Sequence, residues 1–160
     1  MFPLKNYKIA DINSVGDFAY KRSFYYHPGI DIYTNNNEEV FAIESGKIVN
    51  IEIFTGPNAN PSSPWWNETF SIMIEGNSGV IGYCELILEN NLKINNYVKE
   101  GDLLGKITPV LKKDKGVGTS MLHLELYTKG TKEHCSWLHE DEKPENLLNP
   151  RELLEKCVIT

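Results

Sequence analysis

A mainly β domain is the fold class that this sequence predicts, and two observations predict it. Short runs such as residues 47–53 and 121–127 alternate apolar and polar side chains, with the two-residue period of half-buried strands. Stretches rich in Gly, Asn, Pro and Ser separate these runs, and only one segment has a helical pattern. We therefore expect an antiparallel β-sandwich or barrel-sandwich hybrid with a short C-terminal helix.

The predicted strands follow one another along most of the chain, and turn residues end each of them. Their ranges are 39–43, 47–53, 70–75, 80–86, 103–107 and 121–127, and residues 97–98 lead into the turn that precedes residue 103. In the last strand the leucines at 122, 124 and 126 share one face, whereas His123 and Glu125 lie on the other. Segments 56–64 and 114–120 are predicted loops. Asn149 is a suitable N-cap and Pro150 a suitable first residue for a helix that continues to Lys156.

Length and charge restrict the classes of function. A chain of 160 residues is long enough for one domain with a core. Its net charge of −6 argues against nucleic acid or an anionic membrane as the main partner, because both require a basic surface. An odd number of cysteines, three, argues against a disulfide framework. We find neither a signal peptide nor a membrane span, so we expect a cytoplasmic protein, with release by lysis or non-classical export left open.

His27, Asp31 and His123 form the constellation that carries chemistry. Two imidazoles and one carboxylate suit Zn²⁺ and leave a fourth tetrahedral position open, as in catalytic zinc sites. In a regular strand, residues 27 and 31 would lie about 13 Å apart and could not share an ion. The intervening Pro28-Gly29 predicts the bend that brings them together.

The segment from His27 to Ile32 resembles the His-x-Gly-x-Asp motif of the M23 (LytM, lysostaphin-like) zinc metallopeptidases. Further motifs of the family occur in the same order over residues 26–127, ending in Leu122-His123-Leu124-Glu125. Residues 148–150 resemble the segment by which the family's chains usually leave the domain. The resemblance implies one M23-like domain over 1–160, with a fold like the duplicated hybrid motif, a core at about 24–130 and a C-terminal extension at 131–160. It also implies Zn²⁺ on His27, Asp31 and His123, and a peptide or peptidoglycan-like substrate, including glycine-containing peptides.

Two positions depart from the family pattern. Tyr83-Cys84-Glu85-Leu86 stands where the family has Tyr-x-His-Leu, and Met121 replaces the first histidine of His-x-His. In one interpretation Glu85 is the general base, and Tyr83, zinc or backbone N–H groups stabilise the oxyanion. In a second, Glu85 is a fourth zinc ligand that closes the site. In a third, the domain is catalytically degenerate and binds a ligand or partner. Oligomeric state stays open.

Other side chains allow two interpretations each. Glu125 either orients His123 from behind or pairs with a lysine. Trp65-Trp66, in the loop after Gly56, either lines a groove or forms a structural lid. We interpret the group of His134, Cys135 and His139 as surface residues, because their spacing does not match a standard zinc pattern.

Overall fold

A computed structural model describes residues 1–111 and 120–159 of the chain. Apart from Ser120, the loop predicted at 114–120 lies outside the described residues. The strands are β1 (Lys8–Ile9), β2 (Ile30–Tyr33), β3 (Glu39–Phe41), β4 (Gly46–Thr55), β5 (Thr69–Gly76), β6 (Gly79–Leu88), β7 (Tyr97–Val98), β8 (Leu103–Ile107), β9 (Met121–Tyr127) and β10 (Leu147–Leu148). A 3₁₀ turn (Glu140–Glu142) and helix α1 (Arg151–Ile159) complete the described structure.

All the strand pairs are antiparallel, and the prediction of a mainly β fold with a short C-terminal helix is confirmed. The main path of the sheet runs β1-β2-β9-β6-β5-β4-β7, with β10 on β9 and the β3–β8 pair on β6. The six strands predicted from the sequence are all present within about two residues of their expected ends. The sequence patterns did not predict β1, β2, β7 or β10, which are only two to four residues long.

Strand β6 changes partner in its middle. Residues 80–84 pair with β9, whereas residues 86–88 pair with β8. Glu85 lies at the change and has a φ of 74°, in the left-handed region that non-glycine residues rarely adopt. The pairing with β5 also shifts there, since Ser71 lies opposite Cys84 and Phe70 opposite Leu86. Glu85 is therefore the extra residue of a β-bulge, a feature that redirects side chains.

The main hydrophobic core lies under β2, β6 and β9 and includes residues from both ends of the chain. Leu4, Ala10 and Leu154 belong to the same buried cluster as Ile30, Leu122 and Leu124. A smaller cluster forms around Trp137, which is 5% exposed. No helix among the described residues is long and apolar enough to cross a membrane.

Candidate metal centre

Three donor atoms meet in the interior next to β9. The His27 Nε2 atom lies 3.2 Å from His123 Nδ1, and Asp31 Oδ1 lies 3.3 Å and 3.0 Å from these two nitrogens. All three side chains are buried. With zinc bonds of about 2.0–2.1 Å, the ligand atoms of a tetrahedral site lie about 3.3–3.4 Å apart. The observed triangle matches one face of such a tetrahedron.

Strand pairing and a bend place these donors. Asp31 in β2 and His123 in β9 are directly opposed partners, so their side chains leave the sheet side by side. His27 precedes β2, and the chain turns at Pro28-Gly29 before the strand begins at Ile30. A Cβ on Gly29 would meet the Leu124 carbonyl oxygen and come within 2.9 Å of the His123 ring. The glycine therefore permits the close approach that the bend requires.

Hydrogen bonds behind the two imidazoles fix which nitrogen faces the centre. His27 Nδ1 lies 2.9 Å from the Asp17 carbonyl oxygen, which only accepts, so Nδ1 carries the proton and Nε2 is free. His123 Nε2 lies 2.8 Å from the Glu125 carboxylate, so Nε2–H donates and Nδ1 is free. Histidine ligands of metal ions are usually held by such partners. With both inner nitrogens unprotonated, three lone-pair-bearing atoms would face one another at 3.0–3.3 Å, and either a metal ion or a proton between them removes that repulsion.

The charges around the centre favour a cation. Burial alone raises the pKa of the Asp31 carboxyl, but its close contacts with the His123 and His27 ring nitrogens outweigh burial and hold that pKa well below its ordinary value. Burial lowers the pKa of His123, yet its hydrogen bonds with Asp31 and Glu125 raise it well above 6.5. Burial lowers the pKa of His27. In the metal-free protein, a proton on His123 therefore occupies the place that a metal ion would take.

Arg22 holds the outer oxygen of the aspartate. Its Nη2 atom lies 3.3 Å from Asp31 Oδ2 and donates to the Val15 carbonyl at 2.7 Å, and Nη1 donates to the Tyr25 hydroxyl at 3.1 Å. With Oδ2 engaged in this way, Asp31 presents one oxygen, Oδ1, to the centre. The sequence motifs gave no signal for Arg22, because it lies in a loop with no pattern of its own.

A second group of potential ligands shares one imidazole with the first. The ligand atoms of Cys84, His123 and Glu125 also lie within 4.8 Å of one another. However, the Glu125 oxygens already accept from His123, from the Tyr127 hydroxyl at 2.6 Å and from His134 at 2.6 Å. Burial also raises the pKa of the Cys84 thiol well above its ordinary value, which opposes formation of a thiolate ligand. The group of His27, Asp31 and His123 is therefore the one whose potential metal-ligand atoms face a common centre.

Glu85 lies beside the metal centre without joining it. Its neighbour Cys84 pairs with His123 across β6 and β9, but Glu85 is in neither of the two ligand groups found among the described residues. Burial raises the pKa of its carboxyl to about 8, and the positive charges of His123 and Arg22 counter this only in part. Positive φ at a non-glycine residue costs about 1–3 kcal/mol and tends to occur at functional sites.

Tyr83 points away from the centre, into the core. It is fully buried among apolar side chains, and its hydroxyl accepts a hydrogen bond from the Ile43 N–H at 3.0 Å. Tyr83 pairs with Leu124 and not with His123, which places its side chain on the opposite face of the sheet. We therefore assign Tyr83 to the core rather than to the catalytic set expected from the sequence. Met121 is half-buried at the start of β9.

A network extends from Glu125 toward the surface and includes His134. His134 Nδ1 donates to Glu125, and His134 Nε2 lies 2.9 Å from the Ser71 hydroxyl. Phe54 packs against both imidazoles, with ring centroids 5.9 Å from His123 and 5.3 Å from His134. Glu125 thus orients His123, one of its two expected roles. His134 departs from the expected surface position, whereas His139 is exposed.

The two tryptophans of the loop differ in exposure. Trp65 is 63% exposed, whereas Trp66 is half-buried, and their rings meet edge to face at 6.1 Å. Trp66 forms a bridge with Leu111, and the Asn67 amide donates to the Pro109 carbonyl at 2.9 Å. Contacts at Trp66 and Asn67 therefore hold this loop against residues 109–111, and Trp65 remains exposed to solvent.

No protein-family model and no curated protein matches the sequence. Solved structures do match. The catalytic domain of lysostaphin from Staphylococcus simulans aligns over 93% of this chain and 92% of its own, at 22% identity and a TM-score of 0.60. A protein described as a LytM glycyl-glycine endopeptidase, from Ruminococcus gnavus, aligns over 99% of this chain and 60% of its own (21% identity, TM-score 0.60).

A zinc-containing peptidase from Vibrio cholerae aligns over 78% of this chain and 35% of its own, at 22% identity and a TM-score of 0.52. This chain has the fold of the M23, lysostaphin-like peptidases, as its motifs predict. At such identities the likeness is one of fold.

Proposed function

We propose that this protein is a zinc-dependent metallopeptidase of the M23 type that cleaves peptide bonds in peptidoglycan-type or glycine-containing peptides. The observation that carries the proposal is the triangle of free donor atoms on His27, Asp31 and His123, with sides of 3.0–3.3 Å. It is supported by the shared fold with peptidases, including one described as containing zinc. Zinc bound there would polarise the peptide carbonyl and make a water acidic enough to attack it.

The chain's own residues supply the remaining functions. Asp17 and Glu125 hold the two histidines in the tautomers that leave their inner nitrogens free. Arg22 limits Asp31 to one inward oxygen. Three protein ligands leave the fourth position for water and substrate, as in catalytic zinc sites.

Glu85 is the proposed general base. Its carboxylate accepts the proton of the attacking water and later returns it to the leaving amine. A pKa near 8 in the metal-free protein places the group within range of neutral pH, and a neighbouring cation would shift the balance toward the carboxylate. Met121 offers no hydrogen-bond donor, and the Tyr83 side chain points into the core. Stabilisation of the oxyanion would therefore come from the metal and from backbone N–H groups.

Hydrolysis of a glycine-containing peptide and of peptidoglycan by the zinc-loaded protein tests this proposal. We expect chelation to abolish cleavage, and Glu85→Gln to lower kcat by at least about 10²-fold, the usual contribution of a general base. Tyr83→Phe is the matched control. It deletes a buried hydroxyl two residues before Glu85 on the same strand and should leave kcat within about twofold.

Full activity in Glu85→Gln would refute the assigned base. A wild-type protein that binds zinc and the peptide without cleaving it would refute the peptidase and favour the binding module. That alternative further requires peptide binding to persist in His123→Ala.

A further inference from the structure

The C-terminal segment, residues 131–159, reaches the back of the His123 imidazole through the carboxylate of Glu125. His134 Nδ1 lies 2.6 Å from Glu125 Oε1, and the other oxygen of the same carboxylate accepts from His123 Nε2 at 2.8 Å. On the other side of the ring, His134 Nε2 lies 2.9 Å from the Ser71 hydroxyl and 3.5 Å from Glu52 Oε1. The His134 side chain is only 13% exposed, and Glu125 is 2% exposed, so this arm is shielded from water.

The same segment reaches His27, the other histidine of the site, by an independent route. Arg151, the first residue of α1, donates to Asp17 Oδ1 at 2.7 Å and to the Ala10 carbonyl at 2.8 Å. The Asp17 carbonyl oxygen in turn accepts from His27 Nδ1 at 2.9 Å. Asp17 is 7% exposed, and its carboxylate also accepts from the N–H groups of Asn13 and Phe18. Arg151 therefore fixes a residue whose backbone holds His27.

Between the two arms, Trp137 fastens the segment to the loop that carries His27. The Trp137 carbonyl accepts from the Tyr26 N–H at 2.7 Å, and the two rings stack at 5.3 Å. Trp137 also packs against Phe18, the neighbour of Asp17. The segment thus lies against both residues that hold the histidines.

We propose that the C-terminal segment positions both imidazoles of the zinc site, His123 through His134 and Glu125, and His27 through Arg151 and Asp17. This inference rests on the proposed zinc site. Neither His134 nor Arg151 touches the metal position, so both are positioning residues. Mutation of a residue that hydrogen-bonds directly to a histidine ligand weakens metal binding by about 10–100-fold. His134 and Arg151 each lie one contact further from the histidines, so we expect their mutation to weaken zinc binding by about 3–10-fold.

Because the arms end on different ligands, their effects should multiply. We would measure zinc affinity by competition with a chromophoric chelator, and the absorption spectrum of the Co²⁺-substituted protein, for His134→Ala, Arg151→Met and the double variant. We expect about 3–10-fold weaker zinc binding in each single variant and about 10–100-fold in the double, with altered Co²⁺ spectra. His134→Gln keeps a hydrogen-bond donor for the Glu125 carboxylate, and Arg151→Lys keeps a positive charge beside Asp17. Both variants should recover part of the zinc affinity, which a loss caused only by misfolding would not predict.

His139→Ala and Lys156→Met are matched controls, because both residues are exposed and lie in the same segment. Their zinc affinity should equal that of the wild type. Thermal unfolding of the zinc-free variants separates positioning from plain stability. If His134→Ala and Arg151→Met unfold earlier but keep wild-type zinc affinity and Co²⁺ spectra, the inference is wrong and the arms are only structural.

A failure of the zinc site itself would look different. In that case the wild type would bind no zinc, or His123→Ala would bind it equally well, and the inference would be overturned together with the proposed function.

Discussion

The half-buried carboxyl of Glu85 should make the stability of the metal-free protein fall as the pH rises. Burial raises its pKa from 4.5 to about 8 in the folded chain. Between these values the unfolded chain ionises Glu85 while the folded chain keeps it protonated, so folding binds a proton. Stability therefore decreases with increasing pH across this window, by about 1.4 kcal/mol per pH unit for a full proton.

Glu85→Gln removes the titrating group and keeps the shape of the side chain. From pH 5 to pH 7 a pKa raised from 4.5 to about 8 would lower the free energy of unfolding by about 2.5 kcal/mol if the carboxyl were fully shielded from solvent. Glu85 is half-buried, and solvent screens part of this, so we expect the free energy of unfolding of the wild type to fall by about 1–2.5 kcal/mol more than that of Glu85→Gln.

Urea unfolding of both proteins without zinc, at several values between pH 5 and pH 7, measures this difference. Glu39→Gln is the control, because Glu39 is an exposed carboxylate on β3, and its profile should parallel that of the wild type. Parallel profiles for the wild type and Glu85→Gln would contradict the raised pKa of Glu85. Saturating zinc should shrink the difference, because a nearby cation stabilises the carboxylate.

Three further substitutions test the centre and its surroundings. Gly29→Ala should destabilise the fold by about 1–3 kcal/mol and weaken zinc binding, because its Cβ would displace the His123 ring; unchanged zinc affinity would contradict the close approach. Glu125→Gln should weaken zinc binding by about 10–100-fold in a chelator competition, since an amide cannot accept from all three of its present donors; a change under twofold would remove Glu125 from the site. Trp65→Ala should raise KM for a peptide substrate several-fold with kcat and zinc affinity unchanged, whereas an unaltered KM would favour a lid without substrate contact.

Much of the fold could be predicted because the strands carry strong local patterns. The alternation in β9 separates the leucines from His123 and Glu125, and that separation is what the structure has. Short strands such as β1 and β10 could not be predicted, because two residues contain no measurable period and pair only through tertiary contacts.

The site was predictable where a motif or a strand face marked it. His27 and Asp31 converge because of the Pro28-Gly29 bend, and Glu125 shares a face with His123. Arg22 could not be found, because a loop residue gains its role only when the chain folds the loop against Asp31.

His134 was noticed for its spacing and interpreted as surface, since nothing in the sequence indicates that the C-terminal segment packs behind β9. Tyr83 was assigned to chemistry by analogy with its motif, whereas its strand position places it in the core.

Zinc stoichiometry is the measurement that tests the central claim most directly. We predict one Zn²⁺ per wild-type chain, and loss of tight binding in each of His27→Ala, Asp31→Ala and His123→Ala, because each removes one corner of the donor triangle. A wild-type protein that stays metal-free in excess zinc would contradict the account. Variants that retain one tightly bound zinc would also contradict it, because the ion would then lie elsewhere.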